Sequence, residues 1–117
     1  MKQRFRLTRS ADFVRVRRQG KSHVHPVAIM ISLPNVLTQV RIGISAGKAV
    51  GNAVQRNRAK RVLRAAIAPL IPSIKFGHDI VLVARKPILE KKSPEVQEIL
   101  TKMLGQAKLL EENENRS

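Results

Sequence analysis

The chain has 117 residues, one domain's worth, and 43% of them are apolar, enough to build a packed core. Its 23 Lys plus Arg against 8 Asp plus Glu give a formal net charge of +15, a self-repulsion that a polyanionic partner relieves. The absence of cysteine excludes disulfides, thiolate zinc sites and a cysteine nucleophile. No apolar run approaches the roughly 20 residues of a membrane span, and the N-terminus lacks a secretory h-region. A cytoplasmic protein without membrane contact is expected. Three aromatics, Phe5, Phe13 and Phe76, are too few for a broad base-stacking platform.

In chain order, Thr8 is placed to cap a first helix from about Arg9 to Gln19, with Gly20 as its stop. Pro26 to Leu33 is apolar and rich in β-branched residues, which predicts a buried strand. Pro34 and Asn35 turn the chain. Val40 to Ser45 alternates with period two and reads as its hairpin partner. Gly43 within it marks a close backbone approach. A second helix runs from about Asn52 to Ile67, and Pro69 and Pro72 end it. Ile80 to Ala84 is a short apolar strand that Pro87 breaks. Ser93 is placed to cap a third helix, about Pro94 to Leu110, with Val96, Ile99, Leu100, Met103, Leu104 and Ala107 on one core-facing side. The expected fold is α+β: one small sheet packed against helices, in the order α-β-β-α-β-α with room for an extra short strand. Residues 1–110 are expected to form this single domain and 111–117 a polar tail.

The charge is segregated. Met1 to His78 carries 16 Lys plus Arg and one acid, Asp12; Asp79 to Ser117 carries seven of each sign. The excess therefore sits in the first two thirds, and the last third reads as scaffold. The most informative stretch is Gly47 to Arg64, GKAVGNAVQRNRAKRVLR. At about 100° per residue, Arg56, Lys60 and Arg64 stack in one row, with Asn57 and Arg61 in the next. Ala59, Val62, Leu63 and Ala66 occupy most of the opposite arc; Arg58 lies apart from both rows. Aligning cations at i, i+4 without one Glu loses a few tenths of a kcal/mol per pair, a loss that phosphates reverse. Arg presents a planar fork to phosphate oxygens. Asn52 and Asn57 suit 2′-hydroxyls or base edges. Gly47 and Gly51 precede the helix N-terminus, where backbone N–H groups favour anions. The helix reads as a nucleic-acid-binding element.

The run VGNAVQRNRAKRVLR resembles the Arg-Asn-Arg motif of the bacterial ribonuclease P protein subunit. RLTRSADFVRVRRQGKS is similar to that family's first helix and turn, RIGIS to its strand before the motif, and GHDIVLVARKP to its last strand. The resemblance implies a left-handed βαβ crossover around the motif helix. It implies a protein that joins a catalytic RNA, the complex removing the 5′ leader of precursor tRNA. Lys48, Asn52, Arg56, Asn57, Arg58, Lys60, Arg61 and Arg64 would then contact the RNA subunit. A cleft of Arg9, Phe13, Arg17, Ile31 and Arg41 would hold the leader. Phe13 matches the first of two aromatics common on the family's first helix. Arg17 replaces the second, and Ile31 stands at about the position of a third on the facing strand. Leader binding would then lean on Arg9, Arg17 and Arg41; Phe13 suits a core or a stacking role equally. The partners implied are ribonuclease P RNA and precursor tRNA, with no obligate protein partner.

The chain is poorly equipped to be the catalyst. Two-metal phosphodiester hydrolysis needs clustered carboxylates, and the first 78 residues offer Asp12 alone. Magnesium is therefore expected to be held mainly by RNA phosphates, and no catalytic or metal-ligating residue is assigned to the chain. The turn that holds His23 and His25 lacks a supporting carboxylate, and two histidines rarely make a metal site, so His23, His25 and His78 read as loop or RNA-facing residues. A ribosomal or architectural RNA-binding protein would share this composition. A helix-turn-helix module would not place strands on both sides of the motif helix.

Overall fold

The computed structural model describes residues 5–111. Of the polar tail expected at 111–117, residues 112–117 lie outside them, and Glu111 is tied back by its N–H to the Ser73 carbonyl. Three helices, α1 (Ser10–Gln19), α2 (Ala53–Ile67) and α3 (Ser93–Gln106), pack on one sheet of β1 (Lys21–Val24), β2 (Ala28–Pro34), β3 (Val40–Ser45) and β4 (His78–Ala84). The spatial order is β1-β2-β4-β3. The α+β class, the three helices and the extra short strand, β1, agree with the sequence.

The pairing differs from the expected hairpin. β3 does not pair with β2; it runs parallel to β4, with α2 as the crossover between them. β2 pairs antiparallel with β1 on one side and with β4 on the other. The reason is burial. Ile80, Val81 and Leu82 are fully buried, so β4 needs neighbours on both edges and both faces and becomes central. The half-buried edge position is left to β3, whose outer side is bridged at Ile42 by Arg6. Leu7 N–H donates to the Ile42 carbonyl at 2.8 Å. The opposite edge, β1, is four residues of mostly polar sequence, a short and unattractive edge for further pairing.

Helix ends differ in detail. Thr8 does not cap α1: the N-cap is Arg9, without a side-chain cap bond. Gly20 does end the helix, and a Cβ there would lie 2.5 Å from the Val16 carbonyl oxygen. Ser93 is the first residue of α3 rather than its cap; Lys92 holds that place, and its N–H donates to Glu95 Oε1 at 3.1 Å. α3 stops at Gln106, because Lys108 takes a positive φ of 58° and Leu109 N–H turns back to the Leu104 carbonyl.

The sheet separates two cores of unequal size. On one face Met30, Ile42, Ile80 and Leu82 meet Ala59, Leu63 and Ile67 of α2 and Val96, Leu100 and Leu104 of α3. The apolar stripes of both helices are thus core, as their period requires. On the other face α1 covers a smaller cluster of Leu7, Val16, Ile31 and Val81.

Candidate nucleic-acid interface

Three features fix where the motif helix begins. Asn52 caps α2: its Oδ1 accepts from Gln55 N–H at 2.9 Å, and its own N–H donates to Gln55 Oε1 at 2.8 Å. Gly51 sits at φ +147°, and a Cβ there would overlap the Gln55 amide. Val50, 1% exposed, anchors the preceding loop in the core, while Lys48 stays exposed.

Along α2, the buried face leaves Asn57 and Arg61 exposed and Arg56, Lys60 and Arg64 half-buried beside them. Arg56, Asn57 and Lys60 join Ala46 and Ala53 around a hollow of about 220 Å³. Two cations and an amide on one small concavity suit a phosphate and its sugar. Arg58 is placed differently. It leaves both cationic rows and donates Nη1 to the Leu89 carbonyl at 2.7 Å, tying α2 to the 3-10 segment Lys86–Glu90.

The residues expected in the cleft divide between the two flanks of α1. Phe13 and Arg17 share one flank, and Arg9 precedes them by a turn. Phe13 lies against Gly43, where a Cβ would meet its ring at 2.6 Å. Beside this flank a strip of sheet stays uncovered by α1. Register aligns Val24, Ile29, Val83 and Ser45 across it. Val24 is exposed, and Ile29, Val83 and Ser45 are half-buried. Ile31 lies deeper, 6% exposed, under α1.

Arg41 emerges on the opposite flank, and its guanidinium is engaged. It grips the buried Asp79 through Nε–Oδ1 at 2.9 Å and Nη2–Oδ2 at 2.8 Å. Arg15 reaches the same carboxylate at 2.6 Å and Asn35 at 2.8 Å. Asp12 completes the group, 3.3 Å from Arg15 and 3.9 Å from Arg41. Burial alone would push the Asp79 carboxyl up, but the bonds from Arg41, Arg15 and Asn35 hold it below its ordinary value. The same bonds raise both arginines. Sequence reasoning missed Arg15, Asn35 and Asp79 as a unit. The signal was an acid at the head of an apolar strand in a chain with few acids.

The histidines do not converge. His23 pairs with Met30 near the middle of β2 and His78 with Pro34 at its end. His25 Nδ1 accepts from Val27 N–H at 3.1 Å. His78 Nδ1 donates to the carbonyls of Lys75 and Phe76, at 3.2 and 3.1 Å. Among the described residues no group of three or more His, Cys, Asp or Glu could hold a metal ion, and no helix is long and apolar enough to cross a membrane.

Comparison with known proteins decides the family. The model of the ribonuclease P family matches residues 1–108. The chain belongs to the ribonuclease P protein family. The ribonuclease P protein component of Dehalococcoides mccartyi strain CBDB1 is 38% identical over 117 residues, covering 100% of this chain and 96% of the relative. That of Chloroflexus aurantiacus strain J-10-fl is 36% identical over 94% of this chain and 82% of its own. In structure, the Staphylococcus aureus RNase P protein superposes with a TM-score of 0.79 at 30% identity, over 92% of this chain and 98% of that one. The Thermotoga maritima RNase P protein gives 0.76 at 28% identity, over 86% and 96%. The ribonuclease P family thus accounts for the mixed sheet, the crossover helix and the basic motif together.

Proposed function

We propose that the chain joins a catalytic RNA as the protein subunit of ribonuclease P, and that the complex removes the 5′ leader of precursor tRNA. The motif face of α2 binds the RNA subunit through Lys48, Asn52, Arg56, Asn57, Lys60, Arg61 and Arg64. Arg58, the last of the eight expected contacts, contributes by fixing α2 to the Lys86–Glu90 segment. The single observation that carries this reading is the hollow of Arg56, Asn57 and Lys60 on a helix face without one acid. Its like charges repel in isolation and are relieved by phosphate oxygens.

The leader lies along the uncovered strip of sheet beside Phe13 and Arg17. Arg9 and Arg17 meet its phosphates, while Val24, Ile29 and Val83 offer an apolar floor to the bases. Arg41 acts at a distance from that strand, by holding α1 in place through Asp79.

Phosphodiester hydrolysis belongs to the RNA subunit. The described residues supply no carboxylate cluster: Asp79 is saturated by two arginines and an amide, and Asp12 lies against the same arginines. Magnesium held by RNA phosphates would activate the attacking water and stabilise the leaving oxygen. The chain's own part is to bind, orient and screen two anionic strands.

Cleavage of a precursor tRNA at low Mg²⁺ tests this, comparing the protein alone, a bacterial ribonuclease P RNA alone, and the two together. Activity confined to the mixture, with product ending at the mature 5′ terminus, is expected. Cleavage by the protein alone would overturn the assignment of chemistry to RNA. Tight binding without gain in cleavage would leave an architectural RNA-binding protein.

A further inference from the structure

We propose that the surface for the RNA subunit does not end at α2, but crosses Arg58 onto the link between β4 and α3, where Lys86 and Lys92 take phosphates. This rests on the RNA-subunit reading above and extends it to residues outside the basic motif.

The starting point is the bond from Arg58 to the Leu89 carbonyl, 2.7 Å long. It joins the motif helix to a segment that sequence reading leaves as scaffold. The neutrality of the last third is a sum that hides a separation. Arg85, Lys86, Lys91 and Lys92 crowd at its start, whereas five of its seven acids, beginning at Glu95, follow them. Of those acids, Glu95 and Glu98 lie on the first half of α3, and Glu111 follows the helix at its far end, where its N–H donates to the Ser73 carbonyl and Lys75 N–H donates to the Leu109 carbonyl, near the start of β4. The four cations thus gather at the pole where α2 begins, with Glu90, Glu95 and Glu98 beside them and Glu111 toward the other.

The segment is rigid. Ile88 is fully buried and pins it to the core. Arg85 N–H donates to the Val27 carbonyl at 2.9 Å, Ile88 N–H to Arg85 at 2.9 Å and Lys91 N–H to Ile88 at 3.0 Å. A cation on fixed backbone loses less entropy on binding than one on a loose loop.

Two of the four cations are already occupied. Lys91 lies 3.8 Å from Glu95, and Arg85 Nη1 leans to the His25 carbonyl at 3.4 Å. Lys86 and Lys92 are exposed and have no ion-pair partner among the described residues. Glu90 stands between them in sequence, yet residues 85–95 keep four basic residues against two acids. That surplus next to an acid-free helix face fits the backbone of a folded RNA that already lies on α2.

The test is binding of the full chain to an in vitro transcribed bacterial ribonuclease P RNA at 50–200 mM salt. Variants are Lys86→Ala, Lys92→Ala, the double variant and Arg56→Ala. Lys102→Ala, on α3 about 15 Å further along the helix than Lys92, is the control. Each phosphate contact contributes about 0.7–0.9 to the slope of log affinity on log salt. The double variant should lower that slope by about 1.5, with its curve converging on the wild type as salt rises. Thermal stability should not move, because both side chains are exposed. A double variant that matches Lys102→Ala while Arg56→Ala loses slope overturns the proposal and keeps the motif reading. An Arg56→Ala variant without effect instead defeats the reading of α2. Unchanged RNA-subunit affinity with weaker precursor tRNA binding to the assembled complex would also overturn the proposal, by placing the lysines on substrate.

Discussion

Replacing Asp79 with Ala removes the centre of the only buried charge group among the described residues. Its carboxylate is 0% exposed and accepts four bonds, two from Arg41, one from Arg15 and one from Asn35. Breaking a buried pair from one side typically costs about 3–5 kcal/mol, since the partner charges stay behind. Here the stranded guanidiniums are 33% and 24% exposed, so water recovers part of their solvation. The expected loss is therefore near the lower end, about 3 kcal/mol, or a fall in Tm of about 10 °C for a chain of this size. Urea titration followed by far-UV circular dichroism measures it, the chain having no Trp or Tyr. The pH dependence checks the cause. Asp79 titrates below its ordinary value when folded, so its stabilisation is fully present above the unfolded carboxyl pKa of about 3.9 and is lost as pH falls through the folded one. The gap between wild type and Asp79→Asn should be full at pH 6 and narrow below about pH 4. A loss under about 1 kcal/mol, or a gap that does not narrow in acid, refutes this account of the group.

Other substitutions separate folding from binding. Gly43→Ala places a Cβ 2.6 Å from the Phe13 ring, so it should destabilise by about 1–3 kcal/mol, and Phe13→Ala in the same chain should recover part of that in thermal melts. Asn52→Ala loses the α2 cap and about 1 kcal/mol of stability. Asn52→Asp keeps the cap but sets an anion at the cationic face, so its melt should stay near wild type while RNA-subunit affinity drops. Arg61→Ala, at an exposed position on α2, should weaken RNA-subunit binding by about 1–3 kcal/mol in a filter-binding assay without lowering Tm.

The parts of this protein that were legible in sequence are those whose information is local. The α2 cationic rows and the α3 stripe repeat every three to four residues, and the structure places both as the period requires. What was not legible is non-local. VRIGIS alternates as a hairpin strand does, but alternation cannot say which neighbour it pairs with; the crossover of α2 and the central position of β4 decided that. KSHV carries no apolar alternation, because an edge strand of four residues is held by the backbone ladder more than by its side chains. The Asp79 group unites residues 64 and 38 positions apart, a pairing no spacing rule announces.

The unequal cores and the Asp79 group meet at one physical point about the proposed leader cleft. The sheet face under α2 and α3 is closed by a large apolar core, whereas the face under α1 has four buried apolar residues at its centre. Such a small patch fixes a ten-residue helix weakly, and isolated helices of that length are marginal. Asp79 supplies what the patch lacks: it clamps α1 through Arg15 on one flank, leaving the Phe13 and Arg17 flank open over Ile29 and Val83. Hydrophobic closure of that flank would have stabilised the fold further and buried the strip. An α1 held by charge on one side and left uncovered on the other keeps a sheet surface free, and that surface is where we propose the leader lies. Weakening the clamp should therefore loosen leader binding before it touches the motif face, which stands on the other side of the sheet.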